Sequence, residues 1–191
     1  MVNSVQVNLD FLNLTDEQFY RICQDNRDLR FERNSHGDLI IMPPTGGETG
    51  ERNSEINFQL RLWNKQYKLG KVFDSSTGFI LPNGANRSPD ASWISLEKWQ
   101  SLTSEKRQKF LPLSPDFVIE LRSTSDSLKS LQEKMIEYID NGTKLGWLIN
   151  RQDKQVEIYR QGKELEILNN SQILLGEDVL TNFVLDLALI W

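Results

Sequence analysis

The chain has 191 residues, 38% of them apolar and 26% charged, and 27 Asp and Glu against 22 Lys and Arg leave a formal net charge of −5. That length suits one domain, residues 1–191, with a core of its own, and no stretch nears the roughly 18 apolar residues that a membrane helix needs. The lone cysteine, Cys23, excludes an internal disulfide and a thiolate metal cluster; the acidic balance weighs against a nucleic-acid partner, whose phosphates want Lys and Arg, but it excludes neither a local basic stripe nor carboxylates balanced by a bound cation.

The first residues, among them Asn3, Gln6, Asn8 and Asp10, lack the basic and apolar regions of a secretory signal, so the expected location is the cytoplasm. Thr15 has N-cap character with Gln18 at capping-box spacing, and Phe19, Ile22 and Cys23 supply the apolar face of the helix that follows. Cys23 is expected in the core. The segments "LRFER" and "DLIIMP" flank the turn "NSHG" and predict a hairpin, with His36, the only histidine, as a polar turn residue. After Pro43 and Pro44 comes the longest helix of the first half, in which Ile56, Leu60 and Trp63 recur at helical spacing and Gly70 ends the run. Its polar side carries Glu48 and Glu55 early and Arg61, Lys65, Lys68 and Lys71 late, an order that suits the helix dipole and that a solvated face explains equally well.

The segments "KVFDSSTGFILP" and "SPDASWIS", joined by "NGAN", predict two strands, and "SLEKWQSLTSEKRQKF" a charged helical excursion. "DFVIEL" is a short apolar strand with a carboxylate at each end. It leads into a helix from about Ser127 to Asn141, closed by Gly142, and then into a second buried strand, "LGWLIN". A helix between two apolar strands is a crossover, which predicts parallel neighbours at the sheet centre. "QVEIYR" and "LEILN" read as a C-terminal hairpin and "VLDLALIW" as a closing apolar segment.

Three features suggest chemistry. In an extended "DFVIEL" Asp116 and Glu120 share a face, with Val118 between them. A carboxylate in a central strand is costly unless paired or metal-bound, so Glu120 is either a ligand or the partner of an ion pair, for which Arg122 on the same face is a candidate. Asp90 repeats the Ser-Pro-Asp step at the mouth of another strand. Lys134 and Tyr138 are one helical turn apart on the following helix; that face could aim Lys134 at the end of the Glu120 strand, or leave it exposed beside Glu133 or Glu137. Carboxylates with a lysine suit phosphodiester hydrolysis: they hold Mg²⁺ or Mn²⁺ with its waters, while the lysine orients or helps deprotonate water or stabilises the phosphate.

The order of these elements resembles the core of the PD-(D/E)xK nuclease superfamily. More narrowly, "RSPDASWI", "SPDFVIELRSTSD", "LQEKMIEYIDNGTKLGWLIN" and "QVEIYR" are similar to the bacterial Uma-type family of restriction endonucleases, filed as a domain of unknown function; the likeness runs from about "LIIMPP" to the C-terminus. It implies a restriction-endonuclease-like α/β (α+β) fold, a central mixed sheet flanked by helices, with an N-terminal helix and hairpin and a C-terminal hairpin added. It implies a metal set of Glu48, or else Glu55, with Asp90, Asp116 and Glu120, and a catalytic set of Asp90, Glu120 and Lys134. Arg122 stands where the E-x-K lysine is expected, and a permanently charged guanidinium cannot act as a base. The resemblance therefore points to a lysine displaced to the next helix, Lys134. It also implies a homodimer acting on DNA.

Three functions follow. The first is a Mg²⁺-dependent endonuclease on DNA, with Arg61, Lys65, Lys68 and Lys71 as a phosphate track. The second is a non-catalytic DNA- or protein-binding module whose carboxylates are buried pairs. The third is a metal-dependent hydrolase of a small phosphorylated metabolite, because no aromatic and basic platform for nucleic acid stands out.

Overall fold

The computed structural model describes residues 4–9, 12 and 14–191; Asn3 and Asp10 of the N-terminal reading lie outside them. The chain opens with β1 (Val5–Val7) and α1 (Asp16–Asp25). The capping box of α1 forms as its sequence predicts: Thr15 Oγ1 accepts from the Gln18 amide, and Gln18 Oε1 accepts from the Thr15 amide. Cys23 is only half-buried, which corrects its expected place in the core. The ring contacts of α1 run through Phe19 and Tyr20 to Phe110, a turn away from Cys23.

The strands β2 (Arg30–Arg33) and β3 (Leu39–Met42) make the expected hairpin, with His36 exposed in its turn. The long helix α2 (Gly47–Tyr67) buries Ile56, Leu60 and Trp63. It ends at Lys68, whose φ of 56° is left-handed, and not at Gly70. Gly70 opens β4 (Gly70–Asp74) for a different reason: a Cβ there would lie 2.1 Å from the Ile94 carbonyl oxygen and 2.4 Å from the Trp93 ring.

Where the sequence suggests two strands joined at "NGAN", the chain makes four: β4, the short β5 (Phe79–Ile80) and β6 (Asn86–Arg87), and β7 (Ala91–Ser95). Asp74 accepts hydrogen bonds from the Ser76 amide and hydroxyl and so turns the chain out of β4. The charged excursion becomes two short helices, α3 (Leu96–Ser101) and α4 (Ser104–Arg107), capped by Ser95 and Thr103. Then come β8 (Phe117–Leu121), α5 (Leu128–Asp140) and β9 (Leu145–Asn150), the predicted crossover, with β8 and β9 parallel. The hairpin of β10 (Gln155–Arg160) and β11 (Glu166–Asn169) and the ribbon of β12 (Ile173–Leu175) and β13 (Val184–Asp186) complete the chain.

Among the described residues a six-stranded mixed sheet runs β11-β10-β9-β8-β7-β4, which puts the parallel pair at its centre. A five-stranded sheet, β1-β3-β2-β6-β5, is the N-terminal addition, larger than the expected helix and hairpin because β1, β5 and β6 join it. The alternation along β8 fixes what covers each face. Phe117, Ile119 and Leu121 pack with Ile56, Leu60 and Trp63 of α2 and with Phe183, Leu185 and Leu187 of the C-terminal segment. Val118 faces the other way, against Met135 and Tyr138 of α5. Glu120 follows Val118 to that side and is therefore buried beneath α5.

Candidate active site

At its C-terminal end β8 delivers Glu120 to a cleft of about 770 Å³ lined by the segments that follow β3 and β8 and by residues of α2 and α5. The pairing of Ala91 with Ile119 carries Asp90 to the position across from Glu120 on the neighbouring strand. Asp90 is held from two directions. Its Oδ2 accepts from the Leu121 amide at 2.9 Å and its Oδ1 from the Asn53 side-chain amide at 2.9 Å, while Asn57 donates to its backbone carbonyl at 2.9 Å. Asn53 and Asn57 lie one turn apart on α2, in the same stripe as Ile56 and Leu60.

Lys134 reaches the same cleft from α5. Its Nζ lies 2.9 Å from Glu120 Oε1 and 2.8 Å from Glu32 Oε1, and Tyr138, one turn on, donates its hydroxyl to Glu120 Oε1 at 3.0 Å. The sequence alternative of an exposed Lys134 is excluded. So is a Glu120–Arg122 pair: the Arg122 guanidinium turns to Asn150 Oδ1 at 3.2 Å and Asp153 at 3.6 Å. Glu32, from β2, is itself held by the Ser88 amide at 2.9 Å and Arg87 at 3.1 Å, and Arg87 also meets Glu137 at 2.5 Å.

The carboxylates of this cluster outnumber its cations: among the described residues Glu120, Glu32 and Glu137 pair with Lys134 and Arg87, and Asp90 adds a fourth carboxylate held by amides. The consequences differ by position. Burial pushes the Glu120 carboxyl up to about 7, with Asp90 and Glu32 adding to the rise and Lys134 opposing it. Burial likewise raises Asp90 above its ordinary range, more than the Leu121 amide, Lys134 and Asn53 lower it. Glu32 goes the other way: burial would raise it, but Lys134 and Arg87 outweigh burial and hold it below the usual range. Burial would lower Lys134, yet Glu120 and Glu32 raise it, so its ammonium stays charged.

The remaining sequence candidates lie elsewhere. Glu48 reaches the rim of the cleft, but its side chain is 81% exposed and turned to Arg52 at 3.5 Å and Arg151 at 3.6 Å. Glu55 is not among the cleft residues; its Oε1 accepts from Gln59 one turn along. Asp116 is at the opposite end of β8 from Glu120, about 13 Å away along an extended strand. There it accepts from the Ser95 amide at 2.9 Å and pairs with Lys98 at 3.1 Å and Lys144 at 3.0 Å. Among the described residues no group of three or more His, Cys, Asp and Glu side chains gathers as a metal cage, and of the four expected carboxylates Glu48 and Asp116 stand apart from Asp90 and Glu120. The physical reason is that residues sharing a strand face need not share an end of the strand. The track of Arg61, Lys65, Lys68 and Lys71 is exposed, but Lys65 is about 25 Å along α2 from Glu48 and the cleft. The cations that line the cleft are Arg30, Lys134 and Arg151.

Sequence reasoning missed Glu32, Arg87, Asn53 and Asn57. Two asparagines on the apolar stripe of α2 were a legible signal, since amides on such a stripe need buried partners. Glu32 had none, because its lysine partner lies 102 residues away.

Comparison with known proteins adds the following. The sequence profile of the family described as "Uma2: Putative restriction endonuclease" matches residues 16–188. Among curated proteins none matches. A solved structure described as a putative nuclease belonging to DUF820, from Anabaena variabilis ATCC 29413, is 18% identical, with a TM-score of 0.71 over 83% of this chain and 87% of that one. At that identity the likeness shows a shared fold. No helix among the described residues is long and apolar enough to cross a membrane.

Proposed function

This chain belongs to the Uma2 family of putative restriction endonucleases, and from there we propose a metal-dependent endonuclease that hydrolyses DNA phosphodiester bonds at Asp90, Glu120 and Lys134. The observation that carries the reading is the convergence of these three side chains, from two strands and a helix, in one cleft where two carboxylates with raised pKa values meet one buried ammonium. Two carboxylates with raised pKa values suit a divalent cation, which compensates the charge that burial penalises. Mg²⁺ or Mn²⁺ fits this donor set, since such ions use one or two carboxylates and fill the rest of their shell with water and substrate phosphate.

Asp90 and Glu120 are the residues that would hold the ion; when bound it would lower the pKa of an attacking water and neutralise charge on the reacting phosphate. Lys134 contributes a fixed positive charge. Its raised pKa argues against a general base and supports stabilisation of the pentavalent phosphate. Asn53 and the Leu121 amide orient Asp90, and Tyr138 orients Glu120. Arg30 and Arg151 at the cleft supply phosphate contacts. A homodimer would supply the second site that cleavage of both strands requires, and its mass in solution is directly measurable.

The test is Mg²⁺- and Mn²⁺-dependent cleavage of supercoiled and linear DNA by wild type, Glu120→Ala and Lys134→Ala at matched purity. Cleavage by wild type and its loss, by about 10²-fold or more, in both variants supports the assignment. Equal cleavage by all three assigns it to a contaminant.

One observation favours the non-catalytic module as a second reading: both oxygens of Asp90 and the ammonium of Lys134 already have partners within the chain. In that case divalent cations leave the melting temperature unchanged.

A further inference from the structure

The N-terminal five-stranded sheet reaches the catalytic cluster through Glu32 of β2, which meets Lys134, and Arg87 of β6, which meets Glu137. Only 2% of Glu32 is exposed. Its Oε1 holds Lys134 Nζ at 2.8 Å and takes the Ser88 amide at 2.9 Å, and its Oε2 takes Arg87 at 3.1 Å. Arg87 is fixed in turn by Glu137, one turn beyond Lys134 on α5. Lys134 thus sits between two carboxylates, one from each sheet, at nearly equal distances of 2.8 and 2.9 Å.

A lysine side chain has four rotatable bonds and no preferred direction of its own. Against Glu120 alone, Nζ could swing about the carboxylate or follow it whenever Glu120 turned towards another cation. A second carboxylate, locked by a guanidinium and a backbone amide, leaves the ammonium one place to stand. We propose that Glu32 is a positioning residue of the active site: it clamps Lys134 beside Glu120, which makes the N-terminal sheet an integral part of the catalytic apparatus. The inference rests on the endonuclease reading for its effect on turnover, but the clamp itself is a statement about where Lys134 Nζ lies.

The clamp needs both the charge and the reach of Glu32. Two variants separate these. Glu32→Gln keeps the length and removes the charge, while Glu32→Asp keeps the charge, which Arg87 needs in order to stay buried, and withdraws the carboxylate by one methylene. Glu32→Asp therefore carries the test if the amide variant does not fold. The experiment determines the crystal structure of each folded variant and measures kcat and KM for Mg²⁺-dependent DNA cleavage, alone and in combination with Lys134→Met.

The expected result is that Lys134 Nζ leaves hydrogen-bond distance of Glu120 Oε1 or takes up several positions. With it, kcat falls by about 10²-fold, the scale set by a misplacement of about 1 Å, while KM stays within a few-fold. In the Lys134→Met background the Glu32 substitution brings little further loss of kcat, because the two residues act as one unit. An unmoved Lys134 with unchanged kcat overturns the proposal, as does a loss of kcat that is fully additive with Lys134→Met. If wild type cuts no DNA, the endonuclease reading fails while the position of Lys134 in Glu32→Asp still decides the clamp.

Discussion

Asp116 and Glu120 stand at the two ends of one strand, yet only Glu120 reaches the cleft. Asp116 serves the fold. Burial would raise its pKa, but the Ser95 amide and the Lys98 and Lys144 ammonium groups hold the carboxyl below its ordinary value. A carboxyl depressed in the folded state adds stability that is fully present above its unfolded pKa of about 3.9 and is lost as pH falls through the folded value. Asp116→Asn should therefore unfold more easily by about 2 kcal/mol at neutral pH, since hydrogen bonds to a charged group are lost. Thermal melts from pH 7 downwards should show that deficit narrowing below about pH 4, with DNA cleavage by the folded variant unchanged. The β alternation of "DFVIEL" gave the correct face for Glu120, and it carried no information on distance along the strand. In the same way the helical spacing of Lys134 and Tyr138 was legible, whereas the Glu32 carboxylate that completes the cluster was not.

At the scale of elements, the crossover of β8, α5 and β9 was readable because its signals are local: two apolar runs, a Ser127 cap and a closing Gly142 at φ 100°. The segment between β4 and β7 was not legible because its strands β5 and β6 are two residues long and join the sheet through the pairing of β6 with β2, far away in sequence. The helix α5 owes its closeness to the sheet partly to Gly146, where a Cβ would stand 2.5 Å from the Met135 methyl and 3.2 Å from Val118. Gly70 is the stricter case, since its obstacle is the Ile94 carbonyl and backbone cannot swing aside as a methionine can. Gly70→Ala should accordingly cost about 2–3 kcal/mol, read as a lowered urea midpoint at unchanged slope. The strand it begins pairs with β7, which carries the chain from Asp90.

For the whole molecule, a net charge of −5 sets the terms on which it can meet DNA. The cleft offers Arg30, Lys134 and Arg151, and Lys134 is committed to Glu32 and Glu120. With two or three phosphate contacts the slope of log affinity against log salt should be shallow, about −2 to −3, in a fluorescence-anisotropy titration of duplex DNA. A steeper slope would bring the distant Arg61, Lys65, Lys68 and Lys71 track into the contact, as an assembly of two chains could do. The fold itself was legible at this scale from the order of its elements, and the size of the N-terminal sheet was not, because its strands are brought together only by the tertiary structure.

The central claim, that Asp90 and Glu120 form a cation site, is tested most directly by the melting temperature of the protein with and without saturating Mg²⁺ or Mn²⁺, beside Asp90→Asn. At a concentration of about 100 times Kd the ion should add about 2.7 kcal/mol, or about 5–10 °C, to wild type, and Asp90→Asn should lose most of that gain. An equal response from both proteins, or none from wild type, would contradict the account.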